Sequence, residues 1–573
     1  MPNNKRKDGF ILQAGILASA GIIVRIIGLL YNTPLVAIIG DEGFGYYNSA
    51  YYAYSIVLLI SSYSIPSAVS KVIAQRLATK EYRNAHRIFI CAFIYVLVVG
   101  GIASLFVFFG AGHLVKMESA VLPLRILAPT IFFSGILGVL RGYFQAHKTM
   151  VQTSLSQIIE QIINAAFSIG MAYLLVQTVI DQDSTTRASY GAAGGTIGTG
   201  AGVIAGLLFM AAVYGLNRKT IHRRIERDTG HEEESYKDIF KLIFFVVTPF
   251  ILGTGIYNVN TFLDNYIYQK IMMEIKSFAE TAVATDLSAL AKGVKISNIP
   301  IAMASAMATA MIPGISGDFV QNKLGGVRKK IAKAVKVTML ISIPAAVGIA
   351  VLAKPITMVI FPQQETLDIA SMLLTITSVS IVFYALSTLT QAVLQSIGKM
   401  NTPIINAAIA LVIHVGLMIA MLLFMQVEYS LYYYVASTII YSLLLCILNG
   451  LSVRRHLKYR QESDRTFFRP FVAAAVMGLV AWGVYQGLFY LCKINIIALL
   501  VAVGIASAVY FILIIKWKAV TEEELRSMPK GHILINIAQR TRIIKINNTR
   551  KSRKIEKAEK AKMENEDDFW LDE

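Results

Sequence analysis

Residues 10–39 read FILQAGILASAGIIVRIIGLLYNTPLVAII, thirty positions that carry a single charge, Arg25. About 20 apolar residues are enough for an α-helix to cross the hydrocarbon core of a bilayer. The run is continuous rather than alternating, so it reads as a helix and not as a barrel strand. Arg25 lies 15 residues beyond Phe10, roughly 22 Å along a helix, too deep for easy snorkelling to the headgroups. A charge at the bilayer centre costs about 2.5–3.5 kcal/mol on insertion scales and is normally kept for substrate, ion or proton work.

Comparable runs recur along all 573 residues, of which 55% are apolar and 16% charged, with a mean hydropathy of +0.58. A soluble chain carries about 25% charged residues. The sequence therefore predicts an all-α polytopic membrane protein with fourteen spans, near 11–39, 46–75, 87–110, 121–146, 151–178, 191–215, 239–270, 286–316, 331–353, 366–397, 401–425, 429–452, 468–490 and 494–516. The net charge of +19 sits in alternate loops and in the tail. Lys5–Lys7, the 76–87 loop, the 217–238 loop, 323–336 and 454–469 are rich in base, and the loops around Asp41, Asp183 and Glu428 are poor in it. That alternation follows the positive-inside rule, places both termini in the cytoplasm, and argues against nucleic acid as the partner of the basic residues.

The chain also repeats itself. Ser64-Ile-Pro-Ser-Ala recurs as Asn298-Ile-Pro-Ile-Ala, and Gln145 with Met150 recurs as Gln395 with Met400. Two pseudo-symmetric six-helix lobes are the reading, with a substrate site between them at mid-membrane. The predicted organisation is a first lobe over 1–216, a basic cytoplasmic linker over 217–238 and a second lobe over 239–453. Two further helices follow over 454–516, then a charged, partly disordered tail over 517–573. Within the tail, 531–548 mixes Ile and Leu with Arg and Lys, as suits a helix lying on anionic lipid.

The candidate site follows from charges at depth. Lys292 and Lys295 share a helix face, and Lys295 lies about 14 Å in from Asp286, a depth close to that of Arg25. Two positive centres at one level, one from each half, suit a clamp on a diphosphate. Asp264, the carboxylate well inside the 239–270 span, is expected as their counter-ion. Gln157, Glu160, Gln161 and Asn164 form a polar stripe at helical spacing, and Arg141 lies near a basic end. Gly194, Gly198, Gly202 and Gly206 fall on one helix face and predict a close-packing seam; no GK[ST] follows them, and the chain has no phosphate loop. Cys91, Cys446 and Cys492 form no CxxC, so no disulfide or metal site is expected, and no catalytic constellation stands out.

Fourteen spans, the helix-one Arg and the basic pair of the eighth span resemble the MurJ-like lipid II flippases of the multidrug/oligosaccharidyl-lipid/polysaccharide exporter superfamily. Within it they resemble the Gram-positive group of YtgP and stage V sporulation protein B. The matching stretches include GVLRGYFQAHKTM (138–150), SQIIEQI (156–162), SIPAAVGIAVL (342–352) and Pro529-Lys-Gly. The resemblance implies a MATE-like fold with a cationic cavity and alternating access, and a transporter rather than an enzyme. The family's helix-one Arg falls on Arg25 and its helix-eight basic residue on Lys295. Where Gram-negative members carry a second Arg and an acidic neighbour, this chain has Tyr31 and Asn32. These two, with Arg141, Asp264, Glu160, Lys292, Arg25 and Lys295, are the expected substrate contacts. The implied cargo is a polyprenyl-diphosphate-linked glycan, lipid II first, moved from inner to outer leaflet of a Gram-positive cell membrane. A teichoic, capsular or spore-cortex unit, or a drug, is the alternative. No cofactor is expected; coupling to a monovalent cation or a proton is left open. Anionic lipid, and cell-wall synthesis proteins at the tail, are the other expected partners.

Overall fold

A computed structural model describes residues 19–520, apart from 64, 148, 229–231 and 364. Residues 11–18 of span one and the tail beyond 520, including the 531–548 segment, lie outside the described residues. Those described fold into helices, with no strand among them. The first lobe comprises α1 (Ser19–Leu30), α2 (Asn32–Leu58), α3 (Ile65–Ala78), α4 (Tyr82–Leu114), α5 (Val121–Ala146), α6 (Met150–Thr178) and α7 (Ser184–Glu226). The second comprises α8 (Tyr236–Gln269), α9 (Glu280–Val320), α10 (Leu324–Val351), the short α11 (Ala353–Ile360), α12 (Leu367–Ser396), α13 (Asn401–Phe424) and α14 (Ser430–Leu457). The last two, α15 (Arg469–Cys492) and α16 (Asn495–Lys516), pack on each other and join the core formed by α10.

Among the described residues, eleven helical runs are long and apolar enough to cross a membrane. α8 and α9, with 34 and 41 residues, exceed the length that a span needs. Breaks fall where the backbone demands them. α2 turns at Gly40, whose φ of 71° belongs to the left-handed region that glycine occupies without a Cβ penalty. A π-helical turn at Leu59–Tyr63 precedes α3. Asp183 caps α7 by accepting from the Thr186 amide at 3.0 Å, satisfying one orphan N–H of the first turn.

The repeat is visible in the helices. Gln145 and Gln395 lie near the ends of α5 and α12, and Met150 and Met400 lie where α6 and α13 begin. The two Ile-Pro motifs differ, because 65–66 opens α3 after the π turn whereas 299–300 lies inside the unbroken α9. Within the expected basic linker over 217–238, the first part, through Glu226, continues α7 as helix. Asp228 and residues 232–234 then hold the 76–87 loop. Arg83 pairs with Glu233 at 3.2 Å, Arg76 with Glu234 at 2.5 Å, and Asn84 donates to the Glu232 carbonyl at 3.0 Å.

The cores divide by depth. Towards the basic end each lobe keeps its own. Ile65–Ile73 of α3 and Leu137–Ala146 of α5 contribute to one, with the start of α8. Ala304–Ile315 of α9 contributes to the other. Towards the base-poor end a single core spans both lobes, joining Leu35, Phe44, Tyr47 and Tyr54 to Tyr268, Leu287, Leu373 and Tyr434. The lobes are thus sealed together at the base-poor end, and this positions the site.

Candidate substrate-translocation site

The seal is built around one buried ion pair between lobes. Asp41, the residue after the Gly40 break, binds Lys292 of α9, and both side chains are 1% exposed. Every strong partner is satisfied. Lys292 also donates to Thr366 Oγ1 at 2.7 Å, Thr366 donates to Asp41 Oδ2 at 2.7 Å, and Ser288 donates to Asp41 Oδ1 at 3.0 Å. The backbones close alongside it: a Cβ on Gly45 would stand 2.0 Å from the Ala284 carbonyl oxygen. Two expectations change here. Asp41 is buried rather than displayed in an outer loop, and the carboxylate that meets Lys292 is Asp41 rather than Asp264. The sequence pattern carried no signal for the pair, because its members stand 251 residues apart.

Around the pair lies a polar rim. Glu280 accepts from the amides of Glu118 and Ser119 at 3.1 and 3.0 Å, and Gln269 accepts from the Lys116 amide at 2.9 Å. The Glu274 carboxylate, 2.9 Å from Lys116, raises that amine above its ordinary value and is itself lowered by it. Tyr268 donates to Asp286 at 2.8 Å and shares a hydrogen bond with Ser430.

The other two cations differ from Lys292. Lys295 is half-buried, 5.2 Å from the Phe44 ring centre and 5.7 Å from that of Tyr47, and has no carboxylate partner among the described residues. Tyr47 in turn hydrogen-bonds Tyr31 through their hydroxyls at 2.9 Å. Tyr31 follows Arg25 by six residues, about 9 Å of helix. Arg25 is exposed and pairs with no carboxylate among the described residues. So the contacts Tyr31–Tyr47–Lys295 lead from the first lobe to the second. Asn32 folds back on the Gly28 carbonyl.

The α6 stripe serves the first lobe. Gln161 faces Gly28 of α1, Asn164 accepts from Ser168 at 3.0 Å, and Glu160 pairs with Arg141 at 2.6 Å, Arg141 also donating to Ser156 at 2.8 Å. Arg141 and Glu160 are thus brought to each other. The glycine seam faces the same helix: Cβ atoms on Gly194, Gly198 and Gly202 would stand 2.5, 2.1 and 2.4 Å from Met171, Ser168 and Glu160 atoms. Asp264 is a correction. It does not pair with Arg25 or Lys295 but lies buried against His414 of α13, Oδ1 to Nε2 2.6 Å. The one sequence signal was a lone histidine in an apolar helix. Among the described residues no group of three metal-ligating side chains occurs.

The described helices thus form two lobes that share one core at the base-poor end, with a buried ion pair between them. Solved structures share the fold. An inward-facing MATE-family multidrug transporter matches with a TM-score of 0.60 at 17% identity, covering 76% of this chain and 98% of that one. A lipid II flippase MurJ in an inward closed conformation matches with a TM-score of 0.60 at 17% identity, covering 87% and 97%. Among relatives, the lipid II flippase MurJ of Bacillus subtilis is 24% identical over 84% of this chain and 88% of its own length. The stage V sporulation protein B of the same organism is 22% identical over 91% and 98%. The model of the family described as lipid II flippase MurJ matches residues 82–502, and this chain belongs to that family. It is a multi-pass membrane transporter of the flippase kind, not an enzyme.

Proposed function

We propose that this protein moves a polyprenyl-diphosphate-linked glycan, lipid II first, from the inner to the outer leaflet, and that the basic end faces the cytoplasm. The observation that carries the reading is the unequal treatment of the cations. Lys292 is neutralised within the seal, whereas Arg25 and Lys295, one from each lobe, have no carboxylate partner among the described residues. A diphosphate supplies the missing negative charge, Arg25 offering a fork and Lys295 a point charge. The polyprenyl tail stays in lipid. An inside-negative potential favours outward movement by about 2.3 kcal/mol per charge per 100 mV. The same cations would hold any lipid-linked diphosphate sugar, so a teichoic, capsular or spore-cortex unit is the second reading. A cationic drug is disfavoured by them.

The test is complementation of a cell depleted of its lipid II flippase, read as lipid II accessible at the outer leaflet. The unaltered chain is expected to restore it. Arg25→Glu and Lys295→Glu are each expected to lower it at least tenfold at equal membrane abundance, and Arg25→Lys to lower it partly. Full activity in both reversals would overturn the clamp; failure of the unaltered chain would overturn lipid II as cargo.

Orientation has its own test. In a cysteine-free background, single cysteines at Asp183 and Glu428 are expected to react with an impermeant reagent applied to intact cells. Those at Lys80, Arg224 and Arg460 are expected to stay silent until the membrane is opened. Labelling of the second group in intact cells would reverse the assignment of the two ends.

A further inference from the structure

We propose that a pocket at the basic end of the first lobe binds a compact, soluble phosphomonoester, a sugar phosphate, at a site apart from the translocation path. The pocket holds about 250 Å³, below the roughly 300–1,000 Å³ of sites for drug-sized ligands. Its walls come from the ends of α3 and α5, the first turns of α4 and α6, and the part of α7 beyond the span predicted over 191–215. α1, α2 and the second lobe contribute none of its lining, so Arg25 and Lys295 lie elsewhere.

Three nitrogen-bearing side chains line it from three helices: His86 of α4, His147 at the end of α5 and Arg224 of α7. No carboxylate lines it. Burial first, and then the Arg224 charge, lower His147 below its ordinary value, against the Tyr143 carbonyl, whose hydrogen bond raises it. The spot is electropositive. α6 adds the positive end of its dipole: Thr149, its N-cap, makes no side-chain cap bond and turns its hydroxyl to the Phe144 carbonyl at 2.9 Å. His86 Nδ1 and Gln152 Oε1 are buried with no hydrogen-bond partner among the described residues. Buried polar atoms left in that state cost free energy that a ligand's hydrogen bonds relieve.

The chemistry selects the ligand. Groups from three helices suit the oxygens of a tetrahedral phosphoryl better than the two coplanar oxygens of a carboxylate. Arg224 supplies a fork. His147 Nδ1 lies 2.9 Å from the Tyr143 carbonyl, which only accepts, so Nδ1 donates there and Nε2 is left for a ligand. A phosphomonoester has a second pKa of about 6, close to that of an imidazole, so the two share a proton. A sulfate has none to share. Beyond the phosphoryl, Tyr82 and Tyr143 offer ring faces, and Gln152, Asn217 and Thr220 offer hydrogen bonds, a combination that suits a sugar. Gln152 Oε1 accepts from one of its hydroxyls. Phosphatidic acid carries the same phosphomonoester in lipid. The soluble source is favoured because Asn217, Thr220 and Arg224 are exposed and lie past the predicted span. With the basic end in the cytoplasm, as proposed above, the ligand is cytoplasmic; binding itself does not rest on that reading.

The test is calorimetric titration of the full chain, purified in a maltoside detergent, with glucose 1-phosphate. Glucose, sodium sulfate and phosphatidic acid dispersed in the same detergent form the other arms. Glucose 1-phosphate is expected to bind, sulfate to bind about tenfold more weakly or less, and glucose to give no measurable heat. Arg224→Gln, and Thr220→Trp, which fills the pocket and keeps its charge, are each expected to weaken binding by about tenfold or more. Both positions are exposed, so the fold tolerates the changes. Arg223→Gln, on the same helix but outside the lining, is expected to leave the affinity as it is. So is the Arg25→Gln/Lys295→Gln double variant, which separates this pocket from the clamp between the lobes. Four results would each overturn the proposal: no binding by the unaltered chain, sulfate binding as tightly as glucose 1-phosphate, equal affinities in Arg223→Gln and Arg224→Gln, or loss of binding in the double variant. Phosphatidic acid displacing glucose 1-phosphate at lower concentration would assign the site to a lipid headgroup and overturn the soluble ligand.

Discussion

Gly198→Val is expected to leave little correctly assembled protein. A Cβ at Gly198 would stand 2.1 Å from Ser168 Oγ, 2.4 Å from the Ser168 amide nitrogen and 2.5 Å from the Asn164 carbonyl oxygen. Two of these are backbone atoms of α6, which no rotamer change can move. Flanking glycines leave α7 no room to roll, because Gly194 and Gly202 approach the same helix as closely. Small residues are what allow two helices in lipid to come this near, where apolar burial adds nothing to their association. Forcing the helices apart strips dispersion contacts along the turns from Gly194 to Gly202, at a cost of about 3 kcal/mol or more. The measurement is the monodisperse fraction after extraction and mild heating. Gly170→Ala, on α6 with nothing within 4 Å of the added atom, is the control and is expected to match the parent. Equal survival of the two variants would show that the seam is not what holds α7 on α6.

Lys292→Met is expected to open the base-poor end. The substitution leaves Asp41 buried without its cation, and breaking a buried pair in this way costs about 3–5 kcal/mol. The partners belong to different lobes, so the cost falls on the sealed arrangement rather than on the folding of either lobe. At about 1.4 kcal/mol per decade, the sealed-to-open ratio should fall by roughly two to three orders of magnitude. Spin labels attached at Asp181→Cys and Gln426→Cys, exposed positions in base-poor loops of the two lobes, read this as longer distances. Asp41→Asn combined with Lys292→Met removes both charges and is expected to recover most of the sealed population, since a neutral pair leaves no charge stranded. An unchanged distance in Lys292→Met, or a double variant as open as the single one, would show that the pair does not govern closure.

The fold was legible because lipid imposes simple rules. Apolar runs, alternating basic loops and the doubled Gln–Met spacing gave helices, lobes and repeat, and the four-residue glycine spacing gave the seam. The site was legible as a list of charges and not as a set of partners. A charge at depth announces its cost but not what relieves it. Lys292 found Asp41, which the sequence had placed in a loop, and Asp264 found His414 across 150 residues. Both depend on how two lobes meet, and one strand of text holds no record of that. Arg25 and Lys295 stand out only after those pairings are subtracted.

One helix belongs to both lobes. The start of α8 packs into the first lobe's core through Ile239, Ile243 and Val247, just after the 232–234 segment that holds the 76–87 loop. Its far end is tied into the second lobe through Asp264 and Tyr268. If the lobes rock against each other, α8 cannot travel whole with either. It must act as a sprung beam, flexing between Val247 and Asp264, a stretch in which Gly255 lowers stiffness. The relaxed shape of that beam then sets which end of the transporter rests closed when nothing is bound.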